Sequence, residues 1–216
     1  MNFNIARDQM LAQQIRAWNV LDDRVLGVLH DTARETFVAE SDRDLAFADV
    51  ELPIGHGQTM MTPMVEGRLL QALAVEPLDE VLEIGTGSGY LTACLARLGR
   101  HVHTVEIFED LSASAASRLD AAGLVNVEFE VADGLALPTT RQYDVIAVTG
   151  SVPTLGDYFI SKLKPRGRIF AVVGRAPAME AELITRQDDG TWSALGLFET
   201  ALAPLINADT TEPFVL

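Results

Sequence analysis

The chain has little cysteine, little lysine and no excess of positive charge. Its single cysteine, Cys94, cannot close an intrachain disulfide, which fits a reducing compartment. Lysine occurs only at Lys162 and Lys164, and 16 basic residues stand against 31 acidic ones, a net charge of −15. Nucleic-acid binders neutralise phosphates with clustered basic side chains, and here the arginines are scattered. The long-range field therefore opposes nucleic acids and anionic membranes as partners. No apolar run reaches the ~20 residues a membrane span needs. The N-terminal stretch MNFNIARDQMLAQQIRAW lacks the basic-then-apolar order of a secretory leader. The expected setting is the cytoplasm, and the 216 residues suit a single domain.

What is present is organised in two parts. Asn4 to Trp18 and the stretch after Asp22-Asp23 carry apolar residues at helical spacing, and Thr62-Pro63 opens a helix through Leu73. Residues 31–64 hold Pro53, Gly55, Gly57 and Pro63 and read as loop with short elements. From residue 80 strands and helices alternate. Strands are expected at Glu80–Ile84, His101–Glu106, Val127–Val131, Tyr143–Val148 and Arg168–Val173, with helices at Gly89–Leu98, Leu111–Ala122 and Val152–Leu163. That alternation predicts an α/β fold with a doubly wound parallel sheet, and the apolar strands predict cover on both faces. Asp189-Gly190 between Ala181–Arg186 and Trp192–Glu199 predicts an antiparallel C-terminal edge. Residues 207–216 read as a tail, with Phe214 as its anchor.

The chemistry concentrates at strand ends. Val81-Leu82-Glu83-Ile84-Gly85-Thr86-Gly87-Ser88-Gly89 is a strand running into a glycine turn that opens a helix. Open α/β sheets bind ligands there. The spacing is G-x-G-x-G, not the G-x-G-x-x-G of dinucleotide sites. Glu83, two residues before the first glycine, suits a cationic amine and sulfonium better than a pyrophosphate. Glu106 ends the next strand, where a carboxylate can accept both ribose hydroxyls of an adenosine. Asp133-Gly134 follows the third strand, where Asp133 can accept from an adenine amino group. Each alone also reads as plain structure: a tight connection, a solvated glutamate, an Asp-Gly turn. Their coincidence at three successive strand ends points to S-adenosyl-L-methionine rather than a nicotinamide cofactor.

These residues sit in segments that resemble the protein-L-isoaspartate O-methyltransferase family. The resembling stretches are RVLGVLHDTARETFVAE (24–40), FADVELPIGHGQT (47–59), VLEIGTGSGYLTACLARL (81–98), VHTVE (102–106), NVEFEVADG (126–134) and LKPRGRIFAVVG (163–174). LPIGHGQT is the most family-specific. The resemblance implies a Rossmann-like core over 76–206, an N-terminal helical and loop addition over 1–75, and methyl transfer to a carboxylate exposed by aspartate isomerisation in a protein or peptide. The cofactor set combines strand-end and resemblance readings: Gln58, Met61, Glu83, Gly85, Thr86, Gly87, Gly89, Glu106, Ile107, Asp133 and Gly134. No metal is assigned.

Two places depart from the family. After Gly57-Gln58-Thr59 the family pattern has an aliphatic residue, a serine, one further residue and proline, whereas this chain reads Met60-Met61-Thr62-Pro63. The serine implied to serve the active site thus falls on Met61, and no catalytic residue is assigned. Ala201–Leu205 shares only Pro204-Leu205 with the family's Arg-Phe-Val-Pro-Leu. Both lie where the family engages its peptide, so a small-molecule acceptor on the same fold, or a cofactor-binding protein without turnover, stand as alternatives. An acceptor other than a carboxylate would need a base, for which His56 is the nearby residue. Met60, Met61 and Met64 either wall the methyl group or seed the core of the following helix.

Overall fold

A computed structural model describes residues 2–208, so the expected Phe214 anchor lies outside the described residues. The N-terminal part begins with α1 (Phe3–Met10), which continues through a π turn and a 3-10 turn to Trp18, followed by α2 (Asp23–Asp31). Asp22 caps α2 by accepting from the Arg24 and Val25 amides. A two-stranded hairpin follows, β1 (Leu52–Gly55) paired with β2 (Gln58–Met60). Then comes α3 (Pro63–Leu73), with Thr62 as N-cap and Pro63 in its first turn.

The core alternates β3 (Glu80–Ile84), α4 (Tyr90–Leu98), β4 (His101–Glu106), α5 (Glu109–Ala121) and β5 (Val127–Val131). It returns through β6 (Tyr143–Val152), α6 (Asp157–Ser161), β7 (Leu163–Arg175), β8 (Ala178–Arg186) and β9 (Trp192–Glu199). The sheet order is β5-β4-β3-β6-β7-β8-β9. The strands from β5 to β7 pair in parallel, and β7-β8-β9 is an antiparallel meander. The chain winds outward from β3 through β4 and β5, then crosses back to β6, which makes β3/β6 the topological switch point.

Period-two alternation sends successive strand residues to opposite layers. Val81, Val145, Ala147, Phe170 and Val172 join the core beneath α3 and α4. Leu82, Ile84, Ile146, Val148, Ile169 and Ala171 join the second core beneath α6.

Three details differ from expectation. The helix expected over Val152–Leu163 shrinks to α6, because β6 runs on through Val152 and residues 153–156 hold a proline and a glycine. Two of the short elements expected within residues 31–64 pair as the β1–β2 hairpin, a pairing the sequence did not specify. β5 is not apolar throughout: it alternates valine and phenylalanine with Glu128 and Glu130, as suits an edge strand with few neighbours to bury it.

Candidate active site

A cleft of about 730 Å3, counting the part open to solvent, spans the carboxyl ends of β3, β4, β5 and β6. Its walls come from Ile84-Gly85, Glu106-Ile107, Ala132-Asp133-Gly134 and Thr149-Gly150. The hairpin supplies Ile54, Gln58 and Thr59, Met61 follows it, and Leu202–Ile206 cross the far side. Four neighbouring strand ends therefore face one space of a size common for small-molecule sites.

The glycine turn is shaped by close approach. Gly85 has φ +95°, and a Cβ there would lie 2.2 Å from the Thr149 hydroxyl oxygen. That hydroxyl sits 2.9 and 2.8 Å from the Ile84 and Gly85 carbonyl oxygens, tying β3 to β6 across the switch point. Gly87 donates its amide to Glu106 Oε2 at 2.9 Å, and Phe108 donates to Oε1 at 3.1 Å. Both Glu106 oxygens thus start from a fixed position on the cleft wall. Asp133 accepts from the Leu135 amide at 2.9 Å and from Asn207 Nδ2 at 3.0 Å. A Cβ on Gly134 would lie 2.3 Å from Ile84 Cγ2, so only glycine lets this loop press on β3.

Of the sequence-predicted residues, Gln58, Met61, Gly85, Gly87, Glu106, Ile107, Asp133 and Gly134 line the cleft; Glu83, Thr86 and Gly89 do not. Glu83 is fully enclosed, because strand alternation turns its side chain under the turn toward α4. Its Oε2 accepts from Thr92 Oγ1 at 2.5 Å and Thr104 Oγ1 at 2.6 Å, and its Oε1 has no partner among the described residues. Thr104 spends its one proton on Glu83, so Thr86, 2.6 Å away, must donate to Thr104. Burial pushes the Glu83 carboxyl up to about 8. Glu83 therefore lies one layer below the wall of the main cleft. Gly89 is required by helix packing: a Cβ there would lie 2.9 Å from Ala115 and Leu119.

His56 does not line the cleft. Its ring stacks on Phe108 with centroids 4.1 Å apart, and Nε2 lies 2.9 Å from both Asp110 carboxylate oxygens. It fastens the hairpin to the start of α5. The three methionines divide: Met61 faces the cleft, Met60 a smaller side cavity, and Met64 an outer groove. Thr62, as α3's cap, points away from the cleft.

Sequence reasoning missed Phe108 and Thr149, and it set Ala201–Leu205 with the peptide without foreseeing that 202–206 cross the cleft as a strap. Ser151 holds that strap, donating its amide to Ala203 O (2.9 Å) and its hydroxyl to Leu202 O (2.9 Å), and accepting from the Leu205 amide (3.0 Å). It also missed the Arg34–Glu66 pair beneath Met61. The Arg34 guanidinium meets Glu66, donates to Met61 O and Ala46 O at 2.7 Å each, and lies 4.8 Å from the Tyr90 ring centre. The signal for Glu66 was a carboxylate on the apolar face of α3, in register with Leu70 and Leu73.

A doubly wound sheet with a glycine turn at its switch point, and acidic side chains on the neighbouring strand ends, defines a nucleoside-cofactor fold of the methyltransferase kind. The family model described as protein-L-isoaspartate(D-aspartate) O-methyltransferase matches residues 6–210, and the chain belongs to that family. A relative named protein-L-isoaspartate O-methyltransferase 2, from Pelobacter propionicus, is 34% identical over 96% of this chain and 93% of its own. A protein-L-isoaspartate O-methyltransferase from Roseiflexus castenholzii is 37% identical over 99% of each. The fold is similar to a Plasmodium falciparum structure described as a protein-L-isoaspartate O-methyltransferase in complex with S-adenosyl-L-homocysteine. The TM-score is 0.79 at 19% identity, covering 95% of this chain and 98% of that one.

Proposed function

We propose that this chain is an S-adenosyl-L-methionine-dependent O-methyltransferase that esterifies isoaspartyl residues of damaged proteins and peptides. The observation that carries the reading is the strand-end cleft, where Glu106 and Asp133, at the ends of the two strands next to the glycine turn, stand fixed by backbone amides. Names borne by full-length relatives supply the acceptor. The residues fit an adenosyl group: Glu106 would receive the ribose hydroxyls, Asp133 the adenine amino group, and Ile84, Ile107 and Leu135 would flank the ring. Gln58 and Met61 would close the cleft from the hairpin side, with Gly85, Gly87 and Gly134 giving backbone clearance. Glu83 and Thr86 would act from beneath the turn, and Gly89 through α4–α5 packing. Residues 76–206 would form the catalytic core and 1–75 an addition that roofs it.

Bound cofactor supplies an activated methyl group; the protein supplies position and exclusion of water. A carboxylate acceptor has a pKa near ~4 and is already ionised at neutral pH. No general base is needed, which agrees with His56 being held by Asp110 outside the cleft. An apolar Met61 where the family pattern has serine then costs orientation, not the chemistry. The test is transfer of labelled methyl from cofactor to an isoaspartyl peptide, read as a base-labile ester. Label on the isoaspartyl peptide and none on its aspartyl twin is expected. Equal label on both, or none on either, would refute the acceptor.

A further inference from the structure

The cleft has a side cavity of about 310 Å3, counting open space, and the two share Thr59, Met61, Gly85 and Thr149. One charged side chain lines it: Glu66, which is 2% exposed. Glu66 Oε2 is engaged by Arg34. Oε1 has no hydrogen-bond partner among the described residues. The carboxylate borders a space that opens at the glycine turn, where a ligand's donor can reach the oxygen that Arg34 leaves over.

We propose that Glu66 is the anion that receives the α-ammonium group of the cofactor's amino-acid tail. The assignment rests on the cofactor reading above and deepens it. Glu83, the carboxylate expected in this role, is sealed under the turn with its Oε2 held by two threonines. Glu106 and Asp133 stand on the far strand ends, where an adenosine would lie. Glu66 is the carboxylate that reaches the space beside Gly85 and Thr86.

The local charges select the ligand's chemistry. Arg34 already balances Glu66, so a second carboxylate would meet the bare Oε1 and be repelled. An ammonium brings three donors and no acceptor, and it completes a chain of alternating charge from Arg34 through Glu66 to the ligand. Ser88 lines the same cavity; its oxygen accepts from the Tyr90 amide, which leaves its own proton free for the tail's carboxylate. Burial pushes the Glu66 carboxyl up to about 7 against the pull of Arg34, so an arriving cation would replace solvation this group has lost.

Two ligands separate the tail's amine from everything else: S-adenosylhomocysteine, and its analogue that keeps the carboxylate but lacks the α-amino group. Calorimetric titration of the wild-type protein should favour S-adenosylhomocysteine by about 10- to 100-fold. Glu66→Gln should weaken S-adenosylhomocysteine by a similar factor and leave the analogue's affinity unchanged. Equal affinity of the two ligands for the wild-type protein would overturn the assignment, and that measurement needs no variant to fold. A Glu66→Gln variant that binds S-adenosylhomocysteine as well as wild type, as if water filled the site, would also overturn it. So would equal losses for both ligands. If neither ligand binds the wild-type protein, the cofactor reading itself fails and the assignment falls with it.

Discussion

Glu83 is sealed from water between α4 and β4, and its titration reaches the stability of the fold. Its carboxyl is raised to about 8 by burial, against 4.5 in the open chain, so the folded protein holds that proton more tightly. The stabilisation this provides is complete below the open-chain value and is lost as pH rises through the folded one. Glu83→Gln keeps a neutral side chain at every pH. The melting temperature of the variant relative to wild type should therefore rise between about pH 5 and about pH 8.5. Parallel melting curves across that range would show that Glu83 is ionised throughout. Gly134 makes a steric prediction. A Cβ 2.3 Å from Ile84 Cγ2 cannot be accommodated without moving the loop. Gly134→Ala should cost about 1–3 kcal/mol in denaturant unfolding and weaken cofactor binding with it. At position 61 the family pattern would place a hydroxyl. Met61→Ser should raise kcat/KM on an isoaspartyl peptide by roughly 5- to 150-fold, the worth of one hydrogen bond to a charged acceptor. An unchanged or lower value would mean the chain orients its acceptor by other contacts.

Among the elements, the β1–β2 hairpin is one wall of the cleft, and His56 holds it through Phe108 stacking and the Asp110 contact. Asp110 is exposed and its pKa is lowered by the hydrogen bond from His56. Exposed ion pairs contribute little, so His56→Ala should weaken S-adenosylhomocysteine binding by less than about fivefold while leaving the melting temperature nearly unchanged. A loss near a hundredfold would assign His56 a contact inside the cleft. This scale also shows what the sequence could carry. Strands β3, β6 and β7 were legible as apolar runs between turn residues, β4 from its β-branched residues, and β8–β9 because Asp189-Gly190 marks its turn. The β1–β2 hairpin was not. Pro53, Gly55 and Gly57 read as loop punctuation, and its turn runs through His56 at φ 52°, a conformation composition does not announce. The course of 202–206 across the cleft was hidden for another reason. It is held by Ser151, 51 residues away from Leu202, and no local pattern encodes a partner that distant.

At the scale of the whole molecule, the strand-end carboxylates were legible because parallel strands deliver their carboxyl ends to one edge by topology. Which way each side chain turns was not. Glu83 and Glu66 differ in access by a strand face and a helix face that only packing fixes. The net charge of −15 carries a prediction of its own. Asp49, Glu51 and Glu199 border the groove next to the cleft, so peptides with flanking lysines should show a lower KM than peptides with flanking glutamates. That difference should shrink as salt rises, since screening shortens to about 3 Å at 1 M.

The most direct test of the central claim is a calorimetric titration of wild-type protein and Glu106→Ala with S-adenosylhomocysteine at neutral pH. The strand-end cleft predicts one saturable site per chain for wild type and a loss of at least about tenfold for the variant, whose carboxylate would no longer meet the ribose. Equal affinities, or no heat of binding in the wild-type protein, would contradict it.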